Sequence, residues 1–394
     1  MKNNVVCKTP QSVLVIVPSF DSGGTISSLI NFVSLIDKTK YCVSVFAITN
    51  TGSNKRTVAE QCFIIGDGEV KNKENNIKSK LRNCIFSCVK KLKKGLCYIG
   101  IDISRILFRY YASKIDKGCY DFVLAFQEGQ ATLFGSYFRH GIKIAWVRSE
   151  YSRFLTTIKD SKYSKVYDRY DRIVSVSKAS MNSFLGCLPQ YREKAVVQYN
   201  FINDSRVLNL SSAEIEDLEV SEQFTIISLG RLDPIKRVSE IPRIASNLNK
   251  KGLSFRWILV GGAVSKEEYN LLLSNIQKYN VTNVLVLGNK PNPYPYVRNS
   301  DLLVSLSKSE TFNNTLTEAK ILGVPVVTTN YPCAYESILD GEEGLIDSFE
   351  NVEESIFRMV TNQDGIYSRI KEVLRRYKYN NQELLLHLYR EVLK

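Results

Sequence analysis

Histidine is nearly absent from this 394-residue chain: His140 and His387 are the only two. That count excludes a His-rich metal site and most imidazole-based acid–base chemistry. The nine cysteines, Cys7, Cys42, Cys62, Cys84, Cys88, Cys97, Cys119, Cys187 and Cys333, are odd in number and include no CxxC pair. This argues against a disulfide framework and a zinc site, and the thiols read as small buried hydrophobes. No metal and no cofactor is expected. An uninterrupted apolar run of about 20 residues, the length that spans a bilayer, is also missing. The segment Met1 to Pro10 is polar and lacks the apolar run and cleavage site of a signal peptide, so a cytoplasmic location is expected.

The length suits two domains, each large enough to bury its own core. Apolar residues at 44% and charged residues at 24% mark a globular chain rather than a disordered one. The net charge of +13 is unevenly spread. Between Lys71 and Lys117 there are 13 lysines and arginines against three acids, Glu74, Asp102 and Asp116. Such a stretch points to an anionic partner.

Short β-branched runs recur between longer segments of helical spacing. Val13–Val17, Val43–Ile48, Asp121–Phe126, Ile142–Val147, Arg172–Val176 and Ala195–Tyr199 form a first series. Apolar patterning weakens over Asn203–Glu222, which reads as a linker. It resumes with Phe224–Leu229, Phe255–Val260, Val284–Leu287, Asp301–Leu306 and Val324–Thr328. Near-continuous apolar strands are covered on both faces, so each series predicts a doubly wound parallel sheet flanked by helices, the two domains facing a cleft. Leu384, Leu385, Leu388 and Val392 lie on one face of a last helix.

Three segments carry chemistry. In Ser309-Glu-Thr-Phe-Asn-Asn-Thr-Leu-Thr-Glu318 two glutamates lie eight apart, the first just beyond a strand and the second inside the following helix. Phe312, Asn313, Asn314 and Thr315 between them form the loop and helix start, where backbone N–H groups and the helix dipole favour an anion. Glu310 and Glu318 can accept hydrogen bonds from hydroxyls. On their own, two glutamates at this spacing also fit a capped surface helix. In Ser228-Leu-Gly-Arg-Leu-Asp-Pro-Ile-Lys-Arg237, Gly230 permits a tight turn and Arg231 and Lys236 can reach phosphate oxygens. Leu287-Gly-Asn-Lys-Pro-Asn-Pro-Tyr-Pro-Tyr296 is a proline-stiffened loop at a strand end, a place for a nucleobase or a plain turn.

In order and spacing, over roughly Phe224 to Leu345, these segments resemble the C-terminal domain of the family-four retaining GT-B glycosyltransferases. The likeness is nearest to bacterial enzymes that build lipopolysaccharide, capsule and other surface glycans. The resemblance implies residues 1–205 as an N-terminal acceptor-binding Rossmann-like domain and 206–378 as a C-terminal nucleotide-sugar-binding one. It implies 379–394 as a helix packing back on the first. Arg231 and Lys236 would hold the donor diphosphate, Glu310 the transferred sugar and Glu318 the ribose hydroxyls. Phe312–Thr315 would cradle sugar and phosphate, and Asn289 and Lys290 would border the base. Gly23 and Gly24 in Ser19–Thr25 look like the family's glycine loop facing the donor across the cleft. Arg148 stands where many relatives carry a histidine, and with Glu128 is assigned to the acceptor side. Thr311 replaces the glycine that commonly follows the first glutamate and would narrow the sugar pocket.

The resemblance thus implies a sugar moved from a nucleotide-diphosphate donor, UDP favoured over GDP, to a lipid-linked, lipopolysaccharide or capsule glycan acceptor. Ile77, Leu81, Ile85, Cys88, Leu92 and Leu96 form an apolar stripe among lysines from Lys78 to Lys94, and Ile103, Ile106, Leu107, Tyr110 and Tyr111 form a second beside Arg105 and Arg109. Such helices lie on anionic membranes or pack on their own sheet. An inactive GT-B-like scaffold and a sugar-nucleotide epimerase are the competing readings. Nucleic acid is not an expected partner, since no helix-turn-helix, zinc-finger or RNP-like signature occurs.

Overall fold

The computed structural model describes residues 9–21, 23–66, 103–158, 163–219 and 221–394. The basic stripe Lys78–Lys94 lies outside them. The chain divides into two compact units. The first takes residues up to Val176, Ser180–Phe201 and Glu383–Lys394, and the second Ser177–Ala179 and Ile202–Gln382.

Among its described residues the first unit has seven strands: β1 (Gln11–Val17), β2 (Tyr41–Ala47), β3 (Phe63–Ile64), β4 (Phe122–Ala125), β5 (Ile142–Val147), β6 (Arg172–Ser175) and β7 (Ala195–Val197). Their order is β3-β2-β1-β4-β5-β6-β7, every pairing parallel. Val13 to Val17 of β1 are fully buried. A strand covered by helices on both faces needs apolar side chains at odd and even positions alike, and that is what this run supplies.

The second unit has six parallel strands: β8 (Phe224–Leu229), β9 (Phe255–Val260), β10 (Val284–Gly288), β11 (Leu302–Ser305), β12 (Val326–Thr329) and β13 (Gly344–Asp347). Their order is β10-β9-β8-β11-β12-β13. In both sheets the order reverses beside the first strand, between β1 and β4 and between β8 and β11. There the loops at the strands' carboxyl ends splay apart, and open α/β sheets bind ligands at such switch points.

Two expectations are corrected. The segment read as a linker holds the helix Asp204–Leu210, whose start is capped by the Asn203 side chain accepting from the Arg206 amide at 3.0 Å. Val207 packs with Ile202 and Tyr294, so the dilute polar pattern concealed a one-sided helix with few core residues. In the helix Ile103–Ile115 the buried face runs through Phe108 and Ala112 against Phe134 and Phe138, while Ile106 and Tyr110 of the expected stripe are exposed. The C-terminal residues Leu388 and Val392 are buried. Tyr389 stacks on Tyr41 at 5.2 Å, and the Arg172 guanidinium donates to the Val392 carbonyl at 2.7 Å.

Candidate functional site

The loops after β8 and β11 meet at the switch point of the second sheet. Beyond β8 the chain turns at Gly230 (φ 148), against which the Lys236 side chain lies. Asp233 is buried and accepts from the amides of Ile235 and Lys236 at 2.9 and 3.1 Å, which holds the loop closed. Arg237 ends it in left-handed backbone (φ 51), its guanidinium 4.0 Å from the Phe349 ring centroid. The Lys308 amide donates to the Ile235 carbonyl at 2.7 Å and ties the two loops together.

This framework brings the Lys236 ammonium onto Glu310 Oε1 in a direct ion pair. The same oxygen accepts from Ser307 Oγ at 2.8 Å, and Cys333 Sγ donates to the Glu310 carbonyl at 3.1 Å. The pair is partly exposed, with side chains 24% and 15% accessible, so both groups remain within reach of a ligand. Arg231 lies further out, 68% accessible, its guanidinium 3.2 Å from Asp233.

The helix Asn314–Ile321 starts directly after this loop. Asn313, expected to cradle a ligand through its backbone, is buried and donates its amide to Ser305 Oγ and Tyr331 Oη at 3.3 and 3.1 Å. Phe312, Asn314 and Thr315 are half-buried. Glu318 is buried inside the helix, where its Oε1 accepts from Tyr294 Oη at 3.1 Å. Burial pushes its carboxyl up to about 7, against the opposing pull of the Tyr294 hydrogen bond and the Arg206 charge. The structure therefore joins Glu310 to Lys236 and sets Glu318 apart with Tyr294.

The loops after β8, β9 and β10 are bonded edge to edge. Gly230 N–H donates to the Val260 carbonyl, Gly261 N–H to Gly288, and Leu232 N–H to Gly262, at 2.8 to 2.9 Å. A Cβ on Gly261 would fall 1.7 Å from the Gly230 carbonyl oxygen. Only glycine allows this approach. Asn289 is exposed beside Gly262. The ammonium of Lys290, placed at the base by resemblance, pairs with Asp217, which also accepts from Tyr296 Oη.

At the switch point of the first sheet, Gly23 and Gly24 precede and open the helix Gly24–Leu35, and a Cβ at either would meet open space. Glu128, buried beyond β4, accepts from the Arg148 amide at 2.7 Å. The Arg148 guanidinium donates to the Phe126 carbonyl at 2.8 Å and Asn200 Oδ1 at 2.9 Å, and stacks 3.9 Å from the Phe126 ring centroid. Enclosure lowers its pKa, opposed by Glu128. The structure brings Arg148 and Glu128 together as the sequence grouped them.

Sequence reasoning missed Gly261, Ser307, Tyr294 and Cys333. Gly261 was legible, since a Gly-Gly pair directly follows β9. Ser307 lies on the Glu310 loop three residues before it, while Tyr294 and Cys333 reach the site from other elements.

Two doubly wound parallel sheets in one chain, with a charged loop cluster at the second switch point, define the GT-B class. Solved structures agree with that fold. Anabaena HepE in complex with UDP and glucose matches with a TM-score of 0.67 at 16% identity, covering 97% of this chain and 99% of that one. TarM matches with a TM-score of 0.69 at 13% identity, covering 98% and 99%. Residues 212–383, most of the second unit, match the family described as group 1 glycosyl transferases. An N-acetylgalactosamine-N,N'-diacetylbacillosaminyl-diphospho-undecaprenol 4-alpha-N-acetylgalactosaminyltransferase of Campylobacter jejuni is 27% identical over 233 residues, 59% of each chain. The capsular polysaccharide biosynthesis glycosyltransferase CapM of Staphylococcus aureus is 24% identical over 152 residues, 36% of this chain and 38% of that one. The chain thus spans less than two thirds of the length of these curated relatives.

Proposed function

We propose that the chain moves a sugar from a nucleoside diphosphate donor to a lipid-linked or surface-glycan acceptor, with retention at the anomeric carbon. The observation that carries this reading is the partly exposed Lys236–Glu310 pair at the second sheet's switch point, framed by the glycine-paved loops after β8, β9 and β10. Lys236 and Arg231 would hold the diphosphate, and the start of the helix Asn314–Ile321 would add its dipole. Glu310 would accept from hydroxyls of the transferred sugar. Glu318, released from Tyr294, would take the ribose, and Asn289 would border the base. These cations would stabilise the charge that develops on the leaving diphosphate. The acceptor oxygen bonds to the anomeric carbon on the face from which the diphosphate departs, the sugar–phosphate bond breaks, and the acceptor's proton passes to the leaving phosphate oxygen.

Uridine is the favoured base, supported by the UDP named with HepE. The diphospho-undecaprenol and capsule named with the relatives support a lipid-linked or surface-glycan acceptor. A peripheral position on the inner face of an anionic membrane suits such an acceptor. It draws support from exposed Ile106 and Tyr110 beside Arg109, and no helix among the described residues is long and apolar enough to cross a bilayer.

The test is NMR of the anomeric proton after incubation with UDP-sugars and GDP-sugars and a lipid-linked glycan acceptor. An α-linked product from an α-linked UDP-sugar is expected. A β-linked product contradicts retention, and interconversion of the donor sugar without acceptor identifies an epimerase. No turnover by the folded protein favours an inactive scaffold.

A further inference from the structure

The first unit holds a second charged site, at the opposite end of its sheet. A cavity of about 540 Å³ opens where the chain enters β4, β5 and β6, at the strands' amino ends. Arg109, Arg139, Lys143 and Arg169 line it together with Tyr137. The guanidinium groups of Arg109 and Arg169 converge on the Tyr137 ring, 5.9 and 5.6 Å from its centroid. Their elements are far apart in sequence, one on the helix Ile103–Ile115 and the other just before β6.

No ion pair joins any of these four cations to a carboxylate among the described residues. The cavity's one acid, Asp116, is spoken for: it accepts from the Arg139 amide at 2.6 Å and faces His140 Nδ1 at 3.0 Å. It thereby fixes the loop that carries Arg139. Partial burial, assisted by the Arg169 charge and opposed by Asp171, holds the Lys143 ammonium below the usual lysine range. Like charges gathered in excess of nearby carboxylates repel, and an arginine fork is the side chain best matched to phosphate oxygens. The volume exceeds the need of a single ion and falls in the range of organic ligand pockets, roughly 300–1,000 Å³.

We propose that this cavity binds a phosphate group carried by an organic molecule, either the headgroup of an anionic phospholipid or a soluble phosphoester. Arg109 and Arg169 grip the phosphate from two sides, Tyr137 aligns them, and Lys143 closes the floor. The site does not depend on the donor reading, because every lining residue belongs to the first unit.

The test reads Lys143 directly. The full chain is acetylated with an amine-reactive ester, and the modification rate of the Lys143 peptide is followed by mass spectrometry. The probes are glycerol 1-phosphate, inorganic pyrophosphate, vesicles of phosphatidylglycerol with phosphatidylcholine, and vesicles of phosphatidylcholine alone. Sodium chloride at matched ionic strength is the control. At least fivefold protection is expected, and it should vanish in the Arg109→Gln/Arg169→Gln variant, whose melting temperature is checked against wild type. Protection by the phosphates assigns a soluble ligand. Protection by the anionic vesicles alone assigns a headgroup. Protection by neither, or equal protection by chloride or in the variant, overturns the proposal.

Discussion

The two sheets share a strand order and a switch point, yet they use charge there in opposite ways. In the second unit Lys236 and Glu310 satisfy each other side chain to side chain and stay partly open to solvent. In the first, Arg148 spends its guanidinium on the Phe126 carbonyl, Asn200 and the Phe126 ring, while Glu128 binds the Arg148 amide. An ion pair opens at modest cost when an anionic ligand arrives, because the ammonium trades a carboxylate for a phosphate and the carboxylate can accept from the ligand's hydroxyls. A guanidinium stacked and bonded to backbone is a strut, and moving it would strand polar groups inside the fold. The same topology thus carries one ion pair partly open to solvent and one guanidinium braced to hold loop shape.

Three substitutions sharpen this contrast. The largest effect belongs to Gly261→Ala. Its Cβ would collide with the Gly230 carbonyl at a backbone angle of φ 152, and a loss of about 4 kcal/mol in chemical denaturation is expected. Arg148→Met comes next. It removes the strut while keeping apolar bulk, and about 3 kcal/mol of stability should go with it, with UDP affinity changed less than about threefold. A large loss of affinity at unchanged stability would make Arg148 a ligand-binding residue and dissolve the contrast.

The smallest effect is a pH dependence at Glu318. Its folded-state carboxyl sits near 7, above its ordinary value of 4.5. The unfolded chain therefore releases this proton first, and the native state loses stability as pH rises from the unfolded value through about 7. Glu318→Gln removes that penalty. Relative to wild type it should be neutral at pH 4 and more stable by about 2 kcal/mol at pH 8, measured by urea titration. Relative stability that does not change with pH would place an ionised carboxylate there in the folded protein.

Much of this was legible in the sequence. The β-branched runs marked eleven of the thirteen strands among the described residues, because strands buried on both faces must be apolar throughout. The missed ones are two-residue β3 and β13, whose Gly344-Leu-Ile-Asp347 holds only two apolar residues. The linker reading failed for a related reason: Asp204–Leu210 needs only Val207 and Leu210 to pack, too few to show a period. At the site, Lys236 and Glu310 each lie in a recognisable segment, and their meeting follows from the strand order. Tyr294 against Glu318 and Asp217 against Lys290 did not show, since each partner comes from a part of the chain distant in sequence. The pairing of Lys290 with Asp217 is that kind of tertiary fact.

The central claim is that the Lys236–Glu310 pair is a diphosphate site. Calorimetric titration of the folded protein with UDP, GDP and ADP, repeated with Lys236→Ala, tests it most directly. The account predicts micromolar binding of UDP, weakened about 100-fold by the substitution, equivalent to about 2.7 kcal/mol. UDP binding that the substitution leaves unchanged, or no binding of any of the three nucleotides, would contradict it.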